Sequence, residues 1–289
     1  MAQSRDYLDE IRRIGRDAEM ESILAAMRLV APYHQVAPFD DVEITRNLAY
    51  GPHERHVLDV FRAKGADDPS PVLLFVHGGG FVRGDKAMPG SPFYDNIGAW
   101  AARNGMVGVT INYRFAPEHR WPAGAEDVAA AVDWVRDNIA RHGGDPGRVF
   151  VAGTSAGAVH VASYLAGPYG AEAKAAGAIL LSCLFDIPTC EPNEPLHAYF
   201  GEDPARYPQQ STLKGMVETP VPVLLTLAEF DPADFERQTL MYVEAYFAAH
   251  GRWPNLVRVT GENHFTTGWR VGAEGDVLSD QMLEFIRRC

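Results

Sequence analysis

The sequence predicts an α/β fold, a mostly parallel eight-stranded sheet with helices on both faces and a small helical cap. Three observations carry this. Short apolar runs alternate with longer stretches of helical periodicity along most of the 289 residues, the pattern of successive βα units. Met106–Tyr113 (MVGVTINY) is largely apolar and β-branched, as a strand covered on both faces should be. Cys190–Thr219 breaks the alternation with Pro, Glu, Asp and Tyr, and a segment of that length inside one domain is usually functional, here as a lid. With 46% hydrophobic residues the chain is long enough to bury a sizeable core.

The elements follow in order. Tyr7–Val30 places Ile11, Ile14, Ile23, Leu24, Met27 and Val30 near helical spacing, which predicts one or two amphipathic helices. Val42–Leu48 and His56–Phe61 read as strands joined by a turn at Gly51-Pro52, and Val72–His77 is the third strand. Met106–Tyr113 is the fourth. Ala125–Ala140 is a helix with Glu126 and Asp127 in its first turn and Arg141 at its end, matching the helix dipole. Arg148–Ala152, Ala176–Leu184 and Val221–Leu227 are strands five to seven. Asp234–His250 is a helix closed by Gly251, Asn255–Thr260 is the eighth strand, and Val277–Arg288 is a final amphipathic helix. Residues 1–40 are expected to form N-terminal helices contributing to the cap, and 41–289 a catalytic domain with its lid at about 190–219.

Charge and composition exclude some partners. Lys and Arg number 26 against 38 Asp and Glu, a formal charge of −12, which disfavours nucleic acid and anionic membranes. The first twenty residues carry Arg5, Asp6, Asp9, Glu10, Arg12, Arg13 and Arg16, with no apolar core of a signal peptide, and no stretch approaches the length of a membrane span. Cys183, Cys190 and Cys289 are odd in number and form no C-x-x-C pair, which suggests a reducing, cytoplasmic setting. No H-x-H or H-E-x-x-H pattern is present, so no metal is expected. A homodimer is compatible with the sequence.

Two glycine motifs carry the chemistry. Pro71–Val76 runs into His77-Gly78-Gly79-Gly80-Phe81, and Arg148–Ala152 runs into Gly153-Thr154-Ser155-Ala156-Gly157, which continues as a helix. Strand, sharp turn with serine at its apex, then helix is the setting of a nucleophile elbow. A serine hydroxyl needs a neighbouring base, and attack on a carbonyl creates an oxyanion that preorganised N–H groups stabilise. The donors expected here are Gly79, Gly80 and Ala156. In the elbow arrangement the acid and then the histidine follow the serine along the chain. His264, in a polar loop after the last strand, is the expected base. His160 is too close along its helix and should pack, His197 lies in the lid, and His250 sits at a helix end. Asp231, on the turn after the seventh strand, is the expected acid. Glu229 is a weaker choice, and Asp234 is expected to cap the following helix.

With HGGGF at 77–81, NYRFAPEHRWPAGAED at 112–127, GTSAG at 153–157, DPAD at 231–234 and His264-Phe265, the chain resembles the hormone-sensitive-lipase-like esterases of the α/β-hydrolase fold over about residues 40 to 285. The resemblance implies carboxylic-ester hydrolysis through an acyl-serine, no cofactor, a small-molecule ester substrate and a helical cap. It maps the catalytic groups onto Ser155, Asp231 and His264 and the oxyanion donors onto Gly79, Gly80 and Ala156. Three departures bear on acyl preference: Thr154 where many members carry an acid, Phe265 where many carry glycine, and a rather short Cys190–Thr219 segment. Phe81, Val82, Leu196, Tyr199, Phe200 and Phe265 are expected to line the substrate pocket, favouring short acyl or aryl esters. His77 is expected to brace the glycine loop, and Arg114 with Glu118 to form a structural charged pair. An amidase, formamidase or carbamate hydrolase would use the same machinery, and a non-enzymatic ligand receptor would be expected to have lost the serine or the histidine, both present here.

Overall fold

The computed structural model of the protein describes residues 5–66, 69–167 and 173–289, so residues 1–4 of the N-terminal segment, 67–68 and 168–172 lie outside the description. Eight strands form one sheet: β1 (Val42–Ala49), β2 (Val57–Ala63), β3 (Ser70–Val76), β4 (Val107–Ile111), β5 (Gly144–Thr154), β6 (Gly177–Leu181), β7 (Val223–Phe230) and β8 (Asn255–Asn263). Their order is β1-β2-β4-β3-β5-β6-β7-β8. β2 runs antiparallel to β1 and β4, and every other pairing is parallel. Each of the eight strands read from the sequence is present, with ends shifted by a few residues.

Chain direction around the sheet reverses between β3 and β5, the kind of switch point at which α/β sheets place their ligands. Register then brings the carboxyl ends together. Val76 pairs with Gly153, Thr154 with Leu181, and Phe230 with Asn263. His77 and Thr154 therefore follow paired residues, and so do Asp231 and His264.

Alternation along the strands feeds two apolar clusters on opposite faces. Val72, Leu74 and Val76 of β3 join one cluster with the helices α4 (Ala123–Asn138) and α5 (Ala156–Ala166). Leu73 and Phe75 join the other, with α1 (Arg5–Ile14), α2 (Met20–Val30), α3 (Asp95–Arg103) and the last helix, α11 (Ser279–Arg288). The segment between β6 and β7 contains three short helices, α6 (Glu194–Phe200), α7 (Tyr207–Gln210) and α8 (Leu213–Glu218), which bury Leu196, Tyr199, Phe200, Tyr207 and Met216 in the first cluster. The N-terminal helices and this segment thus pack in different clusters. α9 (Ala233–His250) and the short α10 (Thr266–Trp269) complete the chain.

One helix has no counterpart in the sequence reading, and one expected ion pair needs correction. α3 went unread because Asn96 and Gly98 interrupt its apolar pattern. Gly98 is there because a Cβ would meet the Phe61 ring, and one on the facing Gly108 would lie 2.5 Å from the Gly98 carbonyl oxygen. Arg114 does not pair with Glu118, which is exposed. It pairs with Asp127 at 2.7 Å and Glu126 at 3.0 Å, because the first turn of α4 folds back beneath it.

A buried charge cluster ties the chain after the glycine loop to the antiparallel edge. Asp59 on β2, fully buried, accepts from Arg46 at 2.7 Å, the Asn47 N–H at 2.7 Å and Lys86 at 2.9 Å. Arg46 also forks onto Asp95 of α3 at 2.6 and 2.5 Å. Removing one partner of such a set strands the others in a dry site. Asp59→Ala should lower the unfolding free energy by about 3 kcal/mol in urea titrations. A loss below about 1 kcal/mol would mean that solvent reaches the cluster and screens it.

Candidate active site

The serine turn is forced by backbone contact. Ser155 sits between β5 and α5 at φ +54° and ψ −123°, a left-handed conformation costly for a residue with a side chain. Its N–H donates to the Leu181 carbonyl at 2.9 Å. A Cβ on Gly153 would lie 2.5 Å from the backbone of Gly157, and one on Gly157 would strike the carbonyls of Val76 and His77. Only glycine at both positions lets the turn press against the end of β3.

The glycine loop lies beside it. A Cβ on Gly78 would come within 3.3 Å of the Ser155 Cβ. Gly79 and Gly80 have φ of +132° and +60°. The Gly78 carbonyl accepts from His77 Nδ1 at 2.6 Å and from the Tyr113 hydroxyl at 3.4 Å. His77 stacks on Tyr113 with centroids 4.4 Å apart, and burial pushes its imidazole down to about 4. It is therefore a neutral donor that braces the loop. Ala156 is the first residue of α5, so its N–H belongs to the set without intrahelical partners.

His264 follows β8 directly. Asn263 shapes its loop: its side-chain oxygen accepts from the Phe265 and Thr266 N–H groups at 3.1 Å each, and its carbonyl from the Thr267 hydroxyl at 2.9 Å. The imidazole Nδ1 lies 2.7 Å from Asp231 Oδ1, and Nε2 lies 2.9 Å from Ser155 Oγ. A carboxylate only accepts, so the ring proton belongs on Nδ1 and the Nε2 lone pair faces the serine hydroxyl. Asp231 is fully buried, and its other oxygen accepts from the Ser182 hydroxyl at 2.7 Å and the Ala228 N–H at 2.6 Å.

The other acids and histidines are occupied elsewhere. Glu229 accepts from the Gly261 N–H at 2.8 Å. Asp234 makes no capping bond on α9, contrary to expectation. It accepts from the Glu191 N–H at 2.9 Å and from Arg237, since α9 begins earlier, after Pro232. His160 is fully buried among Phe81, Tyr113 and Tyr199, and burial pushes it down to about 3. His197 lies in α6, and His250 bonds the Val217 carbonyl at 2.8 Å. Burial raises the Cys183 thiol well above its usual value, which suits a packing residue.

Of the residues expected to line a pocket, four form a packed joint. Phe81 stacks on Tyr199 at 4.6 Å and meets Phe200 edge-on at 5.6 Å. Leu196, Tyr199 and Phe200 are each no more than 2% exposed. A Cβ on Gly80 would lie 3.3 Å from Pro195, so α6 also rests on the glycine loop. Val82 and Phe265 stay partly exposed, and the Phe265 ring stands edge-on to His264 at 5.2 Å.

Sequence reasoning missed two neighbours. Ser182, at φ +53°, directly after β6, orients the Asp231 carboxylate. Phe235 lays its ring 4.4 Å from His264. Its place one turn after Asp231 at the start of a helix is the signal that could have found it. Among the described residues no cluster of His, Cys, Asp and Glu could hold a metal ion, and no helix is long and apolar enough to cross a membrane.

A parallel sheet ending in a glycine-flanked serine turn, with histidine and aspartate on the loops after its last two strands, is the architecture of the alpha/beta hydrolases. A family model described as the alpha/beta hydrolase fold matches residues 73–267, and the chain belongs to that family. Esterase LipC of Mycobacterium tuberculosis is 36% identical over 167 residues, covering 52% of this chain and 40% of LipC. The chain thus spans less than half the length of that curated relative. A hyperthermophilic esterase from the archaeon Pyrobaculum calidifontis shares the fold at a TM-score of 0.73 and 22% identity, covering 100% of this chain and 99% of the other. An esterase described as from the bacterial hormone-sensitive lipase family does so at 0.71 and 23%, again over 100% and 99%. This agrees with the resemblance read from the motifs.

Two residues before His264, Glu262 is buried and accepts from the Tyr7 hydroxyl at 2.6 Å. Burial raises its carboxyl to about 7 from an ordinary 4.5. The folded chain therefore holds this proton longer than the unfolded chain. Stability from this group is greatest below the ordinary value and falls as pH climbs through that window, by ~3 kcal/mol in all. Glu262→Gln cannot titrate. Urea titrations at about pH 5, just inside the window, and about pH 8 should show wild type losing roughly 2.5 kcal/mol more than the variant. Equal losses would show that Glu262 ionises normally.

Proposed function

We propose that the protein is a carboxylesterase-type serine hydrolase acting on small esters through an acyl-serine. The observation that carries this reading is the chain of contacts from Ser155 Oγ through His264 to Asp231, set beside the glycine loop. In the proposed mechanism His264 Nε2 takes the Ser155 proton as Oγ bonds to the ester carbonyl carbon. The N–H groups of Gly79, Gly80 and Ala156 receive the oxyanion, each worth ~3–4 kcal/mol in the transition state. Collapse breaks the bond to the alcohol, which leaves with the proton from His264. Water then attacks the acyl-serine, giving its proton to His264, and the acid departs as Ser155 is reprotonated. Asp231 keeps the imidazole in the required tautomer and stabilises its charged form.

The similarity to esterases favours the ester over an amide or carbamate as the bond cleaved. We assign residues 190–219 as the lid over the catalytic domain of 41–289, and 1–40 as a helical accessory to it. Three free cysteines, two of them buried, favour a reducing compartment such as the cytoplasm.

Ser155→Ala should abolish hydrolysis of p-nitrophenyl butyrate while leaving the melting temperature near wild type, and a fluorophosphonate should label Ser155 alone. Asp231→Asn should lower kcat by ~10⁴. Activity surviving in the alanine variant would end the acyl-serine reading.

The partly exposed rings of Phe235 and Phe265 lie against the imidazole, Val82 follows the glycine loop, and the aromatic joint behind Phe81 is closed. Each added methylene that fits gains only ~0.8 kcal/mol, less than the clash of a chain that does not. kcat/KM across p-nitrophenyl esters should peak between acetyl and hexanoyl and fall steeply beyond. A long-chain optimum, with a rise in rate at the solubility limit, would require a different pocket.

A further inference from the structure

The loops that carry Asp231 and His264 are both held from outside by the N-terminal segment. Arg16, just beyond α1, donates through Nη1 to the Asp231 main-chain carbonyl at 2.6 Å and through Nη2 to Glu236 at 2.9 Å. One guanidinium thus pins the aspartate turn to the first turn of α9. The planar fork makes this possible, since both donors are fixed in one plane. The Asp231 side chain is held by other groups, so Arg16 acts on the backbone from which that side chain projects.

The histidine loop is gripped on either side of His264. Glu262, two residues before it, accepts from the Tyr7 hydroxyl of α1. Arg270, directly after α10, is almost wholly buried between the rings of Tyr7 and Tyr33, with its guanidinium carbon 4.5 Å from each centroid. It lies 3.6 Å from Glu262 and donates to the Glu274 carbonyl at 2.9 Å. A buried carboxyl and a buried guanidinium therefore bracket the imidazole in sequence, and both rest on Tyr7. The apolar face of α1 is also committed here, with Tyr7, Ile11 and Ile14 buried in the cluster that contains Val259 of β8 and Trp269 of α10.

Resting on the serine-hydrolase reading above, we propose that Tyr7 and Arg16 are positioning residues: the N-terminal helix sets the separation of acid and base by clamping the Asp231 turn and the His264 loop together. Neither side chain touches the reacting atoms. Their effect runs through the Asp231–His264 bond, so it belongs in kcat and not in KM. A misplacement of 1 Å in such a constellation costs up to ~10² in rate.

The test uses the full-length protein, p-nitrophenyl butyrate, and the variants Arg16→Met, Arg16→Lys and Tyr7→Phe. Arg12→Ala, an exposed site on α1, is the control that should change nothing. Arg16 is 44% exposed, so its loss does not threaten folding, and it decides the matter even if Tyr7→Phe fails to fold. Arg16→Met should lower kcat roughly tenfold with KM within about twofold, and Tyr7→Phe should do the same. Lysine at 16 should restore part of the rate, because it keeps one donor for the Asp231 carbonyl. The downfield proton NMR signal of the His264 Nδ1–H should shift or broaden in Arg16→Met and stay unchanged in Arg12→Ala. Wild-type kcat and an unmoved signal in Arg16→Met, with Ser155→Ala inactive, would overturn the positioning role alone. A change confined to KM would overturn it as well. Activity in Ser155→Ala would instead remove the serine-hydrolase reading on which it rests.

Discussion

The structure turns on one close approach, the contact of the Gly153–Gly157 turn with the carboxyl end of β3. Because Gly157 lies against the Val76 and His77 carbonyls, α5 starts at the sheet surface and Ser155 is held upright in a left-handed conformation. The same contact brings the glycine loop alongside the serine, since that loop is the continuation of β3. A side chain of any size at either glycine would separate the two, and with them the nucleophile from its expected oxyanion donors. The strain at Ser155, on the order of 1–3 kcal/mol, is sustained because the two paired strands and the buried helix on either side leave the turn no other path.

Around that contact the polar groups are satisfied in layers. Asp231 is fully buried, yet its carboxylate takes bonds from His264, Ser182 and the Ala228 N–H. A buried acceptor with this many donors is costly to disturb, so the histidine it orients inherits a fixed position. Phe235 and Phe265 flank the imidazole with apolar rings, 4.4 and 5.2 Å away, which limit water around it. His77 and His160 show the opposite use of the same residue type. Both are driven neutral by burial and serve as rigid wedges, one under the glycine loop and one projecting from α5 against Gly124 of α4.

The two accessory segments divide the work between the faces of the sheet. α6 rests on the glycine loop through Pro195 and on Phe81 through Tyr199, in the cluster shared with α4 and α5. α1, through Tyr7, reaches the histidine loop from the other cluster, and Arg16 just beyond it reaches the acid loop. A change in the segment at 190–219 therefore bears on the serine side of the site, and a change in the first sixteen residues on the acid–base side.

What the sequence determined by itself was local and periodic. Apolar runs located the central strands, because a strand covered on both faces must be apolar along its length, whereas the edge strand β1 alternates buried or half-buried with exposed residues. The glycine motifs marked Ser155 and the loop beside it, because a turn that tight admits no other residue. Chain order singled out Asp231 and His264, and the pairing of Phe230 with Asn263 and of Thr154 with Leu181 brings their loops and the serine turn to one end of the sheet, where His264 lies 2.7 Å from Asp231 and 2.9 Å from Ser155. What only the tertiary structure decided were contacts between residues far apart in the chain with no spacing to betray them. Ser182 beneath Asp231 and Phe235 against His264 are set by strand order. Gly98 reads as a helix breaker until the ring of Phe61 is seen against it. Arg114 reads as a partner for Glu118 until α4 returns Asp127 beneath it. Tyr7 and Arg16 look like ordinary amphipathic-helix residues, and what they do depends on where that helix docks. Short-range sterics and burial are written in the local sequence, whereas pairing across some 200 residues is chosen by packing alone.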